Sequence, residues 1–138
     1  MTEPERIKMT WEQFDHCIAT LGEQLRPAGY RDLYGIPRGG SLVAVALSHY
    51  LGWPLALTIT PATIVVDDIC DKGHTLRNLH TRTPFARAAV LYCRTILEHP
   101  LPNTVSVQAA VWYGGDKWID FPWERPGAEM RKDGTADA

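Results

Sequence analysis

Between residues 63 and 75 the chain reads Thr-Ile-Val-Val-Asp-Asp-Ile-Cys-Asp-Lys-Gly-His-Thr, an apolar strand that runs into acids and then into a small-residue turn. Residues 63–66 carry no alternation of polar and apolar side chains, so the strand they form must be covered on both faces. That requirement points to a sheet with helices on each side. The acids Asp67, Asp68 and Asp71 can accept hydrogen bonds from a diol or hold a hard cation. The turn after them, and the helix start that follows, offer backbone N–H groups to an anion. A sugar phosphate with magnesium would satisfy both demands at once. The plain alternative is a strand-to-helix turn whose acids simply sit near a helix N-terminus.

Helices and strands alternate through the rest of the chain. Thr10, with Gln13 at the capping-box position, opens a run of Trp11, Phe14, Ile18, Leu21 and Leu25 at helical spacing. This predicts a helix to about Arg26, stopped by Pro27, Ala28 and Gly29. Leu33, Tyr34, Gly35 and Ile36 form a short apolar run, and Pro37, Arg38, Gly39 and Gly40 a loop. Ser41 then caps a second helix, apolar nearly all round and therefore mostly buried. Residues 55–60 and 63–66 read as two strands separated only by Pro61 and Ala62. A short helix follows Thr75 to about His80. Strands over 88–93 and 104–113 come next, and Gly114 and Gly115 turn the chain into 118–123. The polar tail from Pro126 is expected to fray. This order predicts an α/β fold, a mostly parallel central sheet flanked by helices. Ligands in such folds sit beyond the carboxyl ends of the strands, which puts the 37–40 and 67–75 loops on one rim.

The 138 residues suit one domain over 1–138 with a proper core. A net charge of −2 gives no pull toward nucleic acid or an anionic membrane, so anion binding must be local. Cys17, Cys70 and Cys93 have no metal-like spacing and read as reduced thiols. With no signal-like or membrane-spanning run, the expected location is the cytoplasm.

Residues 65–75, apolar residues followed by paired acids and an Asp-Lys-Gly-His-Thr turn, resemble the phosphoribosyl pyrophosphate (PRPP) motif of the type I phosphoribosyltransferases. Tyr34-Gly35-Ile36-Pro37-Arg38-Gly39-Gly40 is similar to the loop with which that family holds pyrophosphate. Trp118-Ile119-Asp120-Phe121-Pro122-Trp123-Glu124 resembles the base-covering segment of its xanthine–guanine and hypoxanthine branch, and Met9-Thr10-Trp11 that branch's helix start. The resemblance runs in the right order from about residue 9 to 125.

The resemblance implies a Rossmann-like core with a small C-terminal base-covering segment. It implies transfer of ribose 5-phosphate from PRPP to a purine, a 6-oxopurine such as hypoxanthine, guanine or xanthine, with Mg2+ as cofactor. Asp67 and Asp68 would hold the ribose hydroxyls, directly or through magnesium, and Asp71 would take or share a base proton near N7. Lys72, Gly73, His74 and Thr75 match the 5′-phosphate loop; Pro37, Arg38, Gly39 and Gly40 match the pyrophosphate loop, which the family often enters through a cis peptide. Trp118 would stack on the base, Ile119 would give backbone contacts to its edge, and Arg94 would read its exocyclic oxygen. Trp123 is expected to pack. The implied partners are PRPP and a nucleobase, with assembly into a homodimer or higher homo-oligomer.

The chain departs from the family pattern in three places. Lys72 and His74 stand where a Thr and a Gly or Lys are usual, Arg94 stands where 6-oxopurine enzymes carry lysine, and the mobile lid between the second and third strands is shortened or missing. Two other assignments therefore stay open: a weakly catalytic or non-catalytic sensor of PRPP or nucleotides, and a transferase to a pyrimidine or other non-purine acceptor. For Lys72, His74 and Arg94 a plain surface role stays open too.

Overall fold

The computed structural model describes residues 3–124. The chain divides into two compact units, residues 15–115 and the two terminal stretches together. The expectation for the tail from Pro126 lies outside the described residues.

The larger unit is a four-stranded sheet in the order β2 (Leu33–Gly35), β3 (Ile64–Cys70), β4 (Arg87–Arg94), β5 (Ser106–Tyr113). Every pairing in it is parallel. Helix α2 (Gly39–Leu51) links β2 to β3 and packs on both, and α3 (His74–Arg82) links β3 to β4. The core is the two-faced strand material that the sequence marks: Ile64, Val65, Val66, Ala88, Ala89, Val90 and Leu91 are fully buried. The α/β class with a parallel, helix-flanked sheet is the observed one.

Local differences have physical causes. Helix α2 begins at Gly39 rather than after Ser41, with Arg38 at the N-cap and no side-chain cap. Glycine at 40 allows this: a Cβ there would lie 2.5 Å from the Val66 carbonyl oxygen, so only a bare Cα lets the first turn press on β3. The helix buries one stripe (Val43, Ala44, Leu47, Leu51) and leaves Leu42, Val45 and Tyr50 exposed, because a single sheet contact covers only one face. It ends at Gly52, φ 72°, whose N–H donates to the Ser48 carbonyl at 2.8 Å.

Residues 55–60 do not form the expected strand. Leu55 makes an isolated bridge to Leu33, and β2, three residues long, offers no further partner. The chain then turns tightly: the Thr63 N–H donates to the Thr60 carbonyl at 3.0 Å and the Thr60 N–H to the Thr63 hydroxyl at 2.9 Å. Residues 52–63, between α2 and β3, thus hold no strand and close on this tied turn. Strand β3 runs on to Cys70, so Asp67 and Asp68 lie within the strand rather than after it.

In the smaller unit, β1 (Glu5–Lys8) pairs parallel with β6 (Lys117–Asp120), with Arg6 and Asp120 joined by a 2.7 Å ion pair. Helix α1 (Trp11–Leu25) opens with both halves of the capping box: the Gln13 N–H donates to the Thr10 hydroxyl at 3.1 Å and the Thr10 N–H to Oε1 of Gln13 at 2.9 Å. Trp123 packs as expected, stacked on Phe121 at 4.8 Å and edge-on to Phe14 at 5.6 Å.

Candidate active site

Because all four strands of the larger unit are parallel, their carboxyl ends share one rim. The register then does something specific. Cys70 on β3 is level with Cys93 on β4, and Arg94 is level with Tyr113 on β5. The next residue after Cys70 is Asp71, so Asp71, Arg94 and Tyr113 fall in one row across three neighbouring strands. Neighbouring strands are about 5 Å apart, close enough for these side chains to meet. They do. Nε of Arg94 donates to Oδ1 of Asp71 at 2.8 Å, and the Tyr113 hydroxyl donates to the same oxygen at 2.9 Å. Nη1 of Arg94 also donates to the Gly115 carbonyl, and its Cζ lies 4.8 Å from the Tyr113 ring centroid. Oδ2 of Asp71 carries no hydrogen bond among the described residues. Burial, and then the hydrogen bond to Asp71, push the Tyr113 hydroxyl above its ordinary value, so it stays a donor.

Asp67 and Asp68 form the second group. Each Oδ1 accepts one backbone N–H, Asp67 from Asp68 at 2.9 Å and Asp68 from Ile69 at 2.8 Å. Asp67 is only 7% exposed. Burial and then the neighbouring Asp68 charge hold its carboxyl well above the usual range; burial raises Asp68 as well. Among the described residues neither has a cationic partner. This donor set fits a hard cation, which would supply the missing positive charge. No three acidic, His or Cys side chains cluster among the described residues, so the pair could offer at most two protein ligands. Magnesium is commonly held in that manner, by one or two carboxylates plus substrate phosphates and water.

The two loops flank the acids. The start of α2 lies directly against them: a Cβ on Gly39 would fall 2.0 Å from Oδ2 of Asp68, and one on Gly40 3.2 Å from Oδ1 of Asp67. The Pro37–Arg38 peptide is cis. Arg38 is exposed and has no side-chain partner among the described residues. On the other side, residues 69–76 line a cavity of about 230 Å³. Gly73 caps α3 with φ 96°, a conformation other residues rarely adopt. Lys72, His74 and Thr75 are exposed around it. The His99 N–H ties the turn by donating to the Lys72 carbonyl at 2.9 Å, and the His99 ring lies 3.8 Å from that of His74.

Trp118 and Ile119 belong to β6 in the smaller unit. Trp118 is 44% exposed with the Arg6 guanidinium 5.7 Å from its ring centroid, whereas Ile119 is buried. Sequence reasoning missed two residues, Tyr113 and His99. Tyr113 could have been found by extending the strand register one position past the paired cysteines. His99 has no sequence signal; only the folded turn brings it onto Gly73.

No protein-family model matches the chain. It is 26% identical to the xanthine-guanine phosphoribosyltransferase of Nitratidesulfovibrio vulgaris over an alignment that covers 84% of this chain and 83% of that protein. The crystal structure of a purine phosphoribosyltransferase from Pyrococcus horikoshii superposes with a TM-score of 0.69 at 26% identity, covering 87% of this chain and 95% of that one. A hypothetical protein from Neisseria gonorrhoeae, solved with bound ppGpp, has the same fold: TM-score 0.74 at 19% identity, over 92% and 93% of the two chains. Fold, rim and motif order together resemble those of the type I phosphoribosyltransferases. Relatives at 26% identity carry the names xanthine-guanine phosphoribosyltransferase and purine phosphoribosyltransferase.

Proposed function

We propose that this chain transfers ribose 5-phosphate from PRPP to a 6-oxopurine, giving a nucleoside monophosphate and pyrophosphate. The observation that carries this is the rim itself, where the buried Asp67 and half-buried Asp68 lie against the glycine start of α2 and β3 leads from them into the Gly73 turn. Ribose hydroxyls suit the acids, pyrophosphate suits the Gly39 and Gly40 N–H groups with Arg38, and the 5′-phosphate suits the turn of Lys72, Gly73, His74 and Thr75.

In the proposed step the bond from C1′ to pyrophosphate breaks as the base N9 bonds to C1′, and the N7 proton passes to Asp71. The sugar carries developing positive charge, which carboxylates on this rim would stabilise without reorganising. Magnesium, held by Asp67 and Asp68 together with substrate oxygens, would neutralise charge on pyrophosphate. Arg38, exposed and without a side-chain partner among the described residues, is available to the leaving group. Arg94 keeps Nη2 for the base edge once Nε and Nη1 are engaged. Trp118 is proposed as the ring that covers the base and Ile119 as a backbone contact to it. A cytoplasmic location and a homodimer or higher homo-oligomer complete the proposal; no helix among the described residues is long and apolar enough to cross a membrane.

The tied turn at residues 60–63 favours one second assignment, a sensor that binds PRPP or nucleotide without turnover, because lids normally exclude water from the reacting centre. Incubation with PRPP, magnesium and a panel of bases separates the two. Nucleotide and pyrophosphate in equal amounts from hypoxanthine, guanine or xanthine are expected. PRPP binding with no nucleotide from any purine overturns transfer in favour of the sensor, and product from a pyrimidine alone moves the acceptor class.

A further inference from the structure

We infer that Tyr113 and Arg94 are positioning residues that act on the base through Asp71, by pinning one carboxylate oxygen and leaving the other as the sole acceptor for the base proton. The inference rests on the transfer proposed above and deepens it.

A free aspartate at a strand end can rotate its carboxylate and present either oxygen. Here both donors meet the same atom, Oδ1, from two different strands. Two donors on one oxygen remove that rotational choice, and Oδ2 is left open. The donors are themselves held. Arg94 is anchored by the Gly115 carbonyl and by its packing over the Tyr113 ring, and Tyr113 is buried to 5% exposure. Its hydroxyl makes its hydrogen bond to Asp71. A buried tyrosine with one hydrogen bond, made to a candidate catalytic oxygen, has a purpose that packing alone would not require, since phenylalanine would fill the same space. Arg94 adds a charge-assisted bond with directional geometry that lysine cannot reproduce while also reaching Gly115. The register explains the arrangement: Arg94 and Tyr113 end β4 and β5, and Asp71 follows the last residue of β3, so all three fall in one row.

The test is a double-mutant cycle on the full chain with two readouts, nucleotide formation and calorimetric binding of inosine and guanosine 5′-monophosphates. The proteins are wild type, Tyr113→Phe, Asp71→Asn and the double variant, each checked for folding by circular dichroism. Loss of a hydrogen bond to a charged group corresponds to roughly tenfold or more in rate. Tyr113→Phe is expected to lower kcat by about that factor with KM for PRPP within about twofold. Monophosphate binding should weaken, and both effects should vanish when residue 71 is already Asn. Arg94→Lys should lower kcat as Tyr113→Phe does, and in addition raise KM for the base whose edge Nη2 meets. Wild-type kcat and binding in Tyr113→Phe overturn the inference, as does an equal loss on the Asp71→Asn background. Wild type that binds monophosphate but forms no nucleotide overturns transfer alone, and the binding cycle then decides for or against Tyr113. Wild type that does neither overturns both.

Discussion

Gly39 lies against Asp68 so closely that a Cβ at position 39 would fall 2.0 Å from Oδ2 of Asp68 and 2.6 Å from its Cγ. The first turn of α2 and the acid pair of β3 are thus one piece of machinery. Gly39→Ala would ordinarily favour a helix by about 1 kcal/mol. Here the added methyl must displace the Asp68 carboxylate, which is the far end of a side chain and can swing aside. The fold should survive and the site should not. The variant is expected to melt within a few degrees of wild type while nucleotide formation drops by roughly tenfold or more, the loss expected when a positioned group shifts. Wild-type activity in Gly39→Ala would detach the loop from the acids.

Gly73 meets backbone instead of a side chain. A Cβ there would lie 2.1 Å from the His99 carbonyl oxygen, and φ is 96°. Neither obstacle can rotate away, so the 71–73 turn itself must move. Gly73→Ala is expected to cost about 1–2 kcal/mol for the left-handed backbone alone. It should also raise KM for PRPP more than it lowers kcat, because the phosphate loop loses its shape. Thermal melts and steady-state kinetics measure the two effects; an unchanged KM would separate this turn from phosphate binding.

Thr10 offers a purely structural check. Its hydroxyl and the Gln13 side chain each satisfy one orphan N–H at the start of α1. Thr10→Ala should cost about 1 kcal/mol, read as a drop of a few degrees in Tm, with kinetics unaltered.

These cases mark where sequence was enough and where it was not. The capping box, the two-faced strand 88–93 and the acid-to-glycine turn were legible because each depends on residues adjacent in sequence or a few positions apart. Strand β1 was not: Glu5, Arg6, Ile7 and Lys8 carry no strand pattern, and they extend only because β6 pairs with them, Glu5 level with Lys117. Residues 55–60 failed in the opposite sense. They look like a strand, yet among the described residues their pairing stops at the Leu33 bridge, with the Ala56 N–H on the Leu33 carbonyl. The acids were recognised one by one, but that Asp71 and Arg94 bind each other depends on the register of β3, β4 and β5, which hydrophobic pattern leaves open. Both residues were expected at the base; their mutual bond was visible only in the fold.

Asp67 yields a prediction about pH and metal together. Burial and then the adjacent Asp68 hold its carboxyl well above the ordinary range. A carboxyl that binds its proton more tightly in the folded than in the unfolded chain stabilises the fold below the usual carboxylate range. That contribution is lost as pH rises through the raised folded value. Above the ordinary carboxylate range, without magnesium, this buried acid is therefore a burden on the fold. Asp67→Asn keeps an oxygen in place to accept the Asp68 N–H and removes the charge. The variant should melt several degrees above wild type at neutral pH without magnesium, with the gap closing as pH falls toward the ordinary carboxylate range. Added magnesium with pyrophosphate should raise the melting temperature of wild type and leave Asp67→Asn nearly unmoved, since binding only the folded state stabilises it. Equal melting curves for the two proteins across this pH range would mean that Asp67 carries no buried charge to relieve.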